Sequence, residues 1–305
     1  MNQKKYTHTP IKGITPTTTL PEGTALVLEG GGTRGFFSSG VFEEFMEAGI
    51  MFPYIIGVSA GAANALSYIS GQKGRSRQIV THYVSDKRYV SKRNLIRYRT
   101  LFGYEFIFET VPNEHIFWDM ENFNRTQTRY LVGVTDCATG EAAWLEKADF
   151  ATEADVLMAN KASCSVPMVA KIVNIGGTDY LDGGIAAPIP IEKSVADGNK
   201  FHVIVLTRNP GCIHKPFKGM WAVRLLYKKY PALVHTMLTR HEIYNRQLAL
   251  CEQLEREGKA LIIRPQKPMQ VGRSTSDIKK LLDLYDEGHQ EGKAAIKRIP
   301  PSLRA

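Results

Sequence analysis

Short apolar runs alternate with glycine clusters and helically spaced segments along the first part of the chain, and this alternation sets the reading of the fold. Ala25-Leu26-Val27-Leu28 is an apolar run of strand length that stops at the glycine block Gly30 to Gly35. Phe36 to Ala48 then carries helical spacing at Phe37, Val41, Phe42 and Phe45. The order predicted is strand, glycine loop, helix. A second unit repeats it: Tyr54-Ile55-Ile56-Gly57-Val58 reads as a buried strand, Ser59 sits at the turn, and Ala60 to Tyr68 reads as a helix of small residues. Two consecutive βα units indicate a sheet wrapped by helices.

Residues 71–123 are basic, aromatic and irregular, and predict helices within a long insertion. Strand patterns return at Tyr130 to Val134, Lys171 to Ile175, Thr178 to Leu181 and Phe201 to Leu206, with a helical pattern at Glu153 to Ser163. Towards the C-terminus, Ala232 to Gly258 predicts a long helix ending at a glycine, Ala260 to Ile263 a strand, and Thr275 to Ile296 another helix. Residues 1–23 predict a flexible, extended lead-in, because Pro10, Pro16 and Pro21 interrupt any helix and no apolar periodicity appears. The expectation is one α/β domain with insertions.

Composition narrows the class. With 305 residues, 43% of them hydrophobic and 23% charged, the chain can bury a sizeable core, which excludes disordered and collagen-like proteins. Cys137, Cys164, Cys212 and Cys251 are widely spaced without a C-x-x-C pair, an arrangement unlike a structural zinc site or a disulfide framework. A reducing compartment, hence a cytoplasmic location, is the expectation. No secretory h-region of about 7–15 apolar residues opens the chain, and no run approaches the roughly 18 needed to span a bilayer. The net charge of +9 is uneven: residues 73–99 carry nine basic residues against Asp86, and residues 208–229 carry six with no acid. Such stretches serve either as solvated surface or as an attraction to anionic lipid or nucleic acid. No zinc finger, RNP-like aromatic motif or recognition helix accompanies the charge, so nucleic acid is not the expected partner.

Gly57-Val58-Ser59-Ala60-Gly61 is a G-x-S-x-G at a strand-to-helix junction, the setting of a nucleophile elbow. Gly57 and Gly61 leave room for a strained turn, and the following helix places its positive end at the Ser59 hydroxyl. Gly30-Gly31-Gly32-Thr33-Arg34-Gly35 satisfies G-x-G-x-x-G in letters, but the acid that a dinucleotide site needs about 20 residues later is missing. Phe36 and Phe37 stand where a P-loop needs Lys and Ser/Thr. What remains is a glycine loop whose amides can converge on an anion, such as a tetrahedral oxyanion. His202, His214, His235, His241 and His289 follow in the order a triad requires, yet none lies in a motif resembling a catalytic loop. Asp182-Gly183-Gly184 follows a strand and is open to close backbone approach.

In that order, the glycine loop with its arginine, the serine elbow and the Asp-Gly-Gly triplet closely resemble the patatin-like phospholipases over about residues 24–210. Ala162-Ser163-Cys164-Ser165-Val166-Pro167 and the run from Asp182 to Lys193 add to the similarity, while Arg240 to Arg246 and Ile263-Arg264-Pro265 extend it with lower specificity. The resemblance implies a three-layer α/β fold with a mostly parallel sheet, a catalytic domain over 24–210, and a C-terminal helical extension, 211–305, packed on it. It implies Ser59 as nucleophile, Asp182 as proton acceptor, Gly30, Gly31, Gly32, Thr33, Arg34 and Gly35 as the oxyanion hole, and a lipid acyl ester as substrate, without metal or organic cofactor. An aspartate of ordinary pKa, about 3.9, is a weak base for a serine, so burial of Asp182 is expected. Basic residues interleaved with Phe217, Trp221, Tyr227 and Tyr230 suit peripheral docking on an anionic membrane. The rival expectation is a non-catalytic membrane- or nucleic-acid-binding regulatory module that retains the fold.

Overall fold

The computed structural model describes residues 6–216 and 219–304. Its strands are β1 Thr18–Thr19, β2 Thr24–Leu28, β3 Ile50–Met51, β4 Tyr54–Val58, β5 Arg129–Asp136, β6 Ala142–Glu146, β7 Val173–Ile175, β8 Thr178–Asp182, β9 Phe201–Val205 and β10 Ala260–Ile263. The α-helices are α1 Phe36–Glu47, α2 Ala60–Ile69, α3 Arg75–His82, α4 Lys92–Tyr98, α5 Met120–Arg125, α6 Glu153–Ser163, α7 Ile191–Ala196, α8 Met220–Leu226, α9 Pro231–Arg256 and α10 Ile278–Arg298. A 3₁₀ turn, Gly32–Gly35, precedes α1, and a π-helical segment, Phe106–His115, lies in the basic insertion.

Eight strands form the central sheet in the order β10-β9-β2-β4-β5-β8-β7, with β6 paired to β5. The first five are parallel; β6, β7 and β8 are antiparallel to their partners. Alternate residues of each strand serve opposite faces. Leu26, Leu28, Ile55, Val203 and Val205 pack with Phe37, Val41 and Phe45 of α1 and Leu281 of α10. Ala25, Val27, Ile56, Ile204 and Ile262 pack instead with Tyr244, Cys251 and Leu254 of α9. Both faces are therefore covered, which is why β2 and β4 read as continuous apolar runs rather than as alternation. The mixed α/β architecture with helices on both sides of the sheet matches the expected fold class.

Several elements depart from the sequence-based expectation. β6 goes unpredicted because its Ala142-Ala143 start has weak strand preference; it forms by pairing antiparallel to β5. The region 211–305 is not wholly helical in its contribution, since β10 completes the sheet edge beside β9. The lead-in differs most. From Tyr6 it lies against the domain: Gly13 donates to Asp119 Oδ2 at 2.9 Å, the Ile14 amide donates to Gly71 O, and Thr18 and Thr19 pair with Ile50 and Met51. Prolines forbid helix there, but they leave carbonyls free, and the Gln72 side chain donates to Ile11 O at 2.7 Å. Residues 1–5 of that lead-in lie outside the described residues.

Helix α10 crosses α1 through two glycines. A Cβ on Gly40 would meet Tyr285 O at 2.0 Å, and one on Gly288 would meet Phe37 O at 2.1 Å. The backbones touch where side chains would hold them apart, which draws the C-terminal helix into the main core. Gly288→Val is expected to lower unfolding free energy by at least about 1–3 kcal/mol through overpacking, read as a lower urea midpoint with an unchanged slope. An unchanged midpoint would mean that the two helices do not meet closely here.

Candidate active site

β2 and β4 are parallel neighbours, so the loops leaving their carboxyl ends emerge side by side. The glycine loop follows β2, and Ser59 follows β4. Ser59 adopts φ 53° and ψ −131°, a conformation that costs an L-residue about 1–3 kcal/mol and turns the hydroxyl away from the strand path. Glycine is needed two residues on because a Cβ at Gly61 would fall 2.6 Å from Glu29 O; at Gly57 it would fall 2.8 Å from Ala62 N. The first turn of α2 thus rests directly on the strand ends, with its unpaired amides towards Ser59.

Sheet register brings Asp182 to the same place. Along one edge of β5, Val58 of β4 pairs with Gly133, and the next β5 residue, Val134, pairs with Asp182 of the antiparallel β8. One strand stops where the other arrives, and Ser59 comes next after Val58. Ser59 Oγ donates to Asp182 Oδ2 at 2.7 Å, across a separation of 123 residues. Both side chains are buried. The other carboxylate oxygen, Oδ1, accepts from the Gly184 amide at 2.7 Å, and Thr135 Oγ1 donates to the Asp182 carbonyl. Gly183 is wedged against β5, where a Cβ would stand 2.1 Å from Gly133 O, and Arg240 Nε donates to Gly184 O at 2.5 Å. Burial raises the Asp182 pKa above the ordinary aspartate value; the bonds from Ser59 and Gly184 and the charges of Arg240 and Arg273 oppose that rise without cancelling it.

A second serine holds the first. Ser163 Oγ accepts from the Ser59 amide at 2.8 Å and donates to Gly133 O at 2.6 Å, tying the strained turn to β5. Sequence reasoning noted Ser163 only as part of a small-residue segment ending at Pro167; the sole available signal was a hydroxyl in that segment. The glycine loop is narrower as a donor set than expected. The Thr33 amide donates to Arg273 O at 2.9 Å and the Arg34 amide to Gly31 O at 3.3 Å, while those of Gly30, Gly31 and Gly32 have no intramolecular acceptor among the described residues. Gly30 lies against Ser59, its Cβ position 3.0 Å from Ser59 Cβ. Gly35 lies against Ala60 and Asn64 at the start of α2.

None of the five downstream histidines bonds to Ser59. His202 pairs with Ser194, His214 stacks on Tyr244, His241 meets Leu238 O, and His289 meets Glu44. From Ser59 an apolar cleft runs between Phe36, Tyr89, Phe102, Tyr104 and Phe108. Tyr89, Phe102, Tyr104 and Phe108 come from the basic insertion, which thus supplies much of the cleft's lining.

A buried serine–carboxylate pair where the ends of β4 and β8 meet, inside a three-layer α/β fold, defines the class of site. The family model of the patatin-like phospholipases matches residues 26–194, more than half of the 305 residues, and the chain belongs to that family of lipid ester hydrolases. A second family model, a domain of unknown function (DUF6363), matches residues 230–304. In Escherichia coli K12 the uncharacterized protein YjjU is 29% identical over 192 residues, covering 61% of this chain and 52% of that relative; the chain thus spans about half the relative's length. Among solved structures, VipD from Legionella pneumophila superposes with a TM-score of 0.50 at 13% identity, covering 98% of this chain and 71% of VipD, a likeness of fold. No helix among the described residues is long and apolar enough to cross a membrane.

The buried Asp182 carboxylate weighs against folding at neutral pH, because its folded pKa lies above the unfolded value. The stability it contributes is full below the unfolded pKa and is lost as pH rises through the raised folded one. Asp182→Asn keeps the shape and removes that charge, so the variant is expected to melt at the same temperature as the parent or a few degrees higher at pH 7. Calorimetry showing a markedly lower melting temperature would contradict this.

Proposed function

We propose that this chain is a serine acyl hydrolase that cleaves carboxylic ester bonds of lipids through a Ser59–Asp182 dyad. The observation that carries the reading is the 2.7 Å hydrogen bond from Ser59 Oγ to Asp182 Oδ2 at the floor of an apolar cleft. Ser59 Oγ attacks the ester carbonyl carbon while its proton passes to Asp182 Oδ2. The amides of Gly30, Gly31 and Gly32 are the candidate donors to the tetrahedral oxyanion, where losing one donor typically costs about 3–4 kcal/mol. Collapse expels the alcohol, which takes the proton from Asp182 and leaves an acyl-Ser59 ester. Water, deprotonated by Asp182, then attacks the acyl carbon; the bond to Ser59 Oγ breaks, Oγ takes the proton back from Asp182, and the fatty acid leaves. Two features suit an aspartate to work usually given to histidine: burial makes it a stronger base, and the N-terminus of α2 favours negative charge on Oγ.

Ser59→Ala is expected to lose at least about 10⁴-fold in kcat and all labelling by a fluorophosphonate, and Asp182→Asn to lose about 10³- to 10⁴-fold while remaining folded. The base must be ionised, so kcat/KM rises with pH through the Asp182 pKa, placing the acid limb above the usual carboxylate range. A serine label retained in Ser59→Ala, or full activity in Asp182→Asn, would dismiss the dyad.

We further propose that the basic surface around the cleft docks on anionic lipid. Helix α8 exposes Trp221 at 74%, Leu225 at 65% and Leu226 at 61%, beside Arg224, Lys228 and Lys229. Ile96 on α4 is 85% exposed among Lys92, Arg93 and Arg97. Both segments abut one loop: Leu101 donates to Val169 O at 2.8 Å, and the Met168 amide donates to Tyr227 Oη at 2.9 Å. That loop adjoins Val166 in the cleft wall, a link that supports docking of exposed apolar side chains and positive charge near the cleft. Phe217, which the sequence adds to this segment, lies outside the described residues. The triple variant Trp221→Ser, Leu225→Ser, Leu226→Ser is expected to partition at least about 10-fold less onto phosphatidylglycerol vesicles in a sedimentation assay. Binding of the parent that ignores both salt and anionic lipid content would end this proposal.

A further inference from the structure

Near the glycine loop, outside the residues that line the apolar cleft, four arginines gather where sequence reasoning looked for one. Arg34 lies in the loop; Arg208 follows β9, Arg240 lies on α9, and Arg273 sits in the segment before α10. They are mutual electrostatic neighbours: the charges of Arg208 and Arg273 bear on Arg34, that of Arg273 on Arg240, and those of all four on His214. None of the four forms an ion pair among the described residues.

The two nearby carboxylates are occupied by neutral donors. Glu29 accepts from Tyr244 Oη at 3.1 Å and from the Thr207 amide at 2.6 Å, and Asp182 accepts from Ser59 and Gly184. Unmet hydrogen-bonding capacity here consists only of donors. Arg34 Nε, Arg208 Nε and His214 Nε2 are buried without a partner, and Arg34 as a whole is 6% exposed. The tautomer of His214 follows from its neighbour: Arg240 Nη1 lies 3.4 Å from Nδ1 and can only donate, so Nδ1 accepts and Nε2 carries the hydrogen. Burial and the surrounding arginines push the His214 pKa down to about 3, keeping it a neutral donor.

We propose that Arg208, Arg240 and Arg273, with Arg34 and His214, form a binding site for the terminal phosphate of the acyl-ester substrate, and that this site selects bare anionic headgroups over zwitterionic ones. The inference rests on the hydrolase reading for the word substrate; the anion site itself stands on the cluster. None of the four guanidiniums lines the apolar cleft beside Ser59, so the acyl chain and the phosphate of one ester are assigned to different groups. Phosphate oxygens accept several charge-assisted bonds at once, which matches convergent donors of this kind. A choline or ethanolamine ammonium would instead meet four guanidiniums and no uncommitted carboxylate. Arg240 has two tasks, since it also bonds Gly184 O beside Asp182.

Two measurements on the full chain test this. Calorimetry with inorganic phosphate and with glycerol 3-phosphate is expected to detect binding that weakens at least 10-fold in Arg208→Gln/Arg273→Gln and less in Arg208→Lys/Arg273→Lys. Melting curves of each variant establish that it is folded. Hydrolysis of 1-oleoylglycerol 3-phosphate, its phosphocholine ester and 1-oleoylglycerol is expected to favour the first by 10-fold or more in kcat/KM, and the glutamine variant to lose that preference. Absence of phosphate binding, or binding indifferent to Arg208 and Arg273, overturns the site. Phosphate binding with no headgroup preference overturns its assignment to substrate and leaves free phosphate as the ligand. Phosphate binding by a chain that hydrolyses none of the three lipids upholds the site and refutes the hydrolase reading instead.

Discussion

A hydrogen bond between Ser59 and Asp182 requires that a parallel and an antiparallel strand share one edge of β5. β4 occupies that edge up to Gly133, and β8 takes it over at Val134. A shift of one residue in either register would turn the carboxylate to the opposite face of the sheet, since strand side chains alternate. The covering layers on both faces hold the register, because Ile55 and Ile56 of β4 would each have to exchange one core for the other. Ser59 and Asp182 are thus held together in part by the hydrophobic pattern of β4.

That placement opposes stability locally. Ser59 occupies a strained backbone region, Asp182 is a buried carboxylate, and three donors of Arg34, Arg208 and His214 lack acceptors among the described residues. Each is unfavourable by an amount comparable to a single core substitution. They are tolerated because the surrounding backbone contacts are close: Gly61 on Glu29, Gly183 on Gly133 and Gly32 on Arg273 each leave no space for a side chain. Ser163 adds a polar strut between the elbow and β5. Rigidity comes from close backbone packing together with a few buried polar bonds.

The C-terminal region takes part in this arrangement as well. α10 lies on α1 through paired glycines, β10 forms the sheet edge, α9 supplies Tyr244 and Arg240, and the segment before α10 lays Arg273 O on the Thr33 amide. The glycine loop is therefore shaped partly by residues 230–304, the stretch matched by the domain of unknown function. The two family matches meet around one site in this chain.

Local features were legible before any coordinates. The βα units, the elbow at Ser59, the glycine loop and the long C-terminal helices follow from apolar spacing and from steric rules that act over a few residues, and both are written in neighbouring positions. Fold class followed from their order. What the chain alone left open were the features that depend on residues far apart in sequence. Aspartate rather than histidine lies beside Ser59 because of strand register. Three of six loop residues keep free amides because Arg273 and Gly31 take up two others. Arg208, Arg240 and Arg273 lie far apart in the chain and become electrostatic neighbours only once sheet and helices pack together. Sequence spacing determines which face a residue occupies on its own element, but only the packing of elements against one another decides which faces meet.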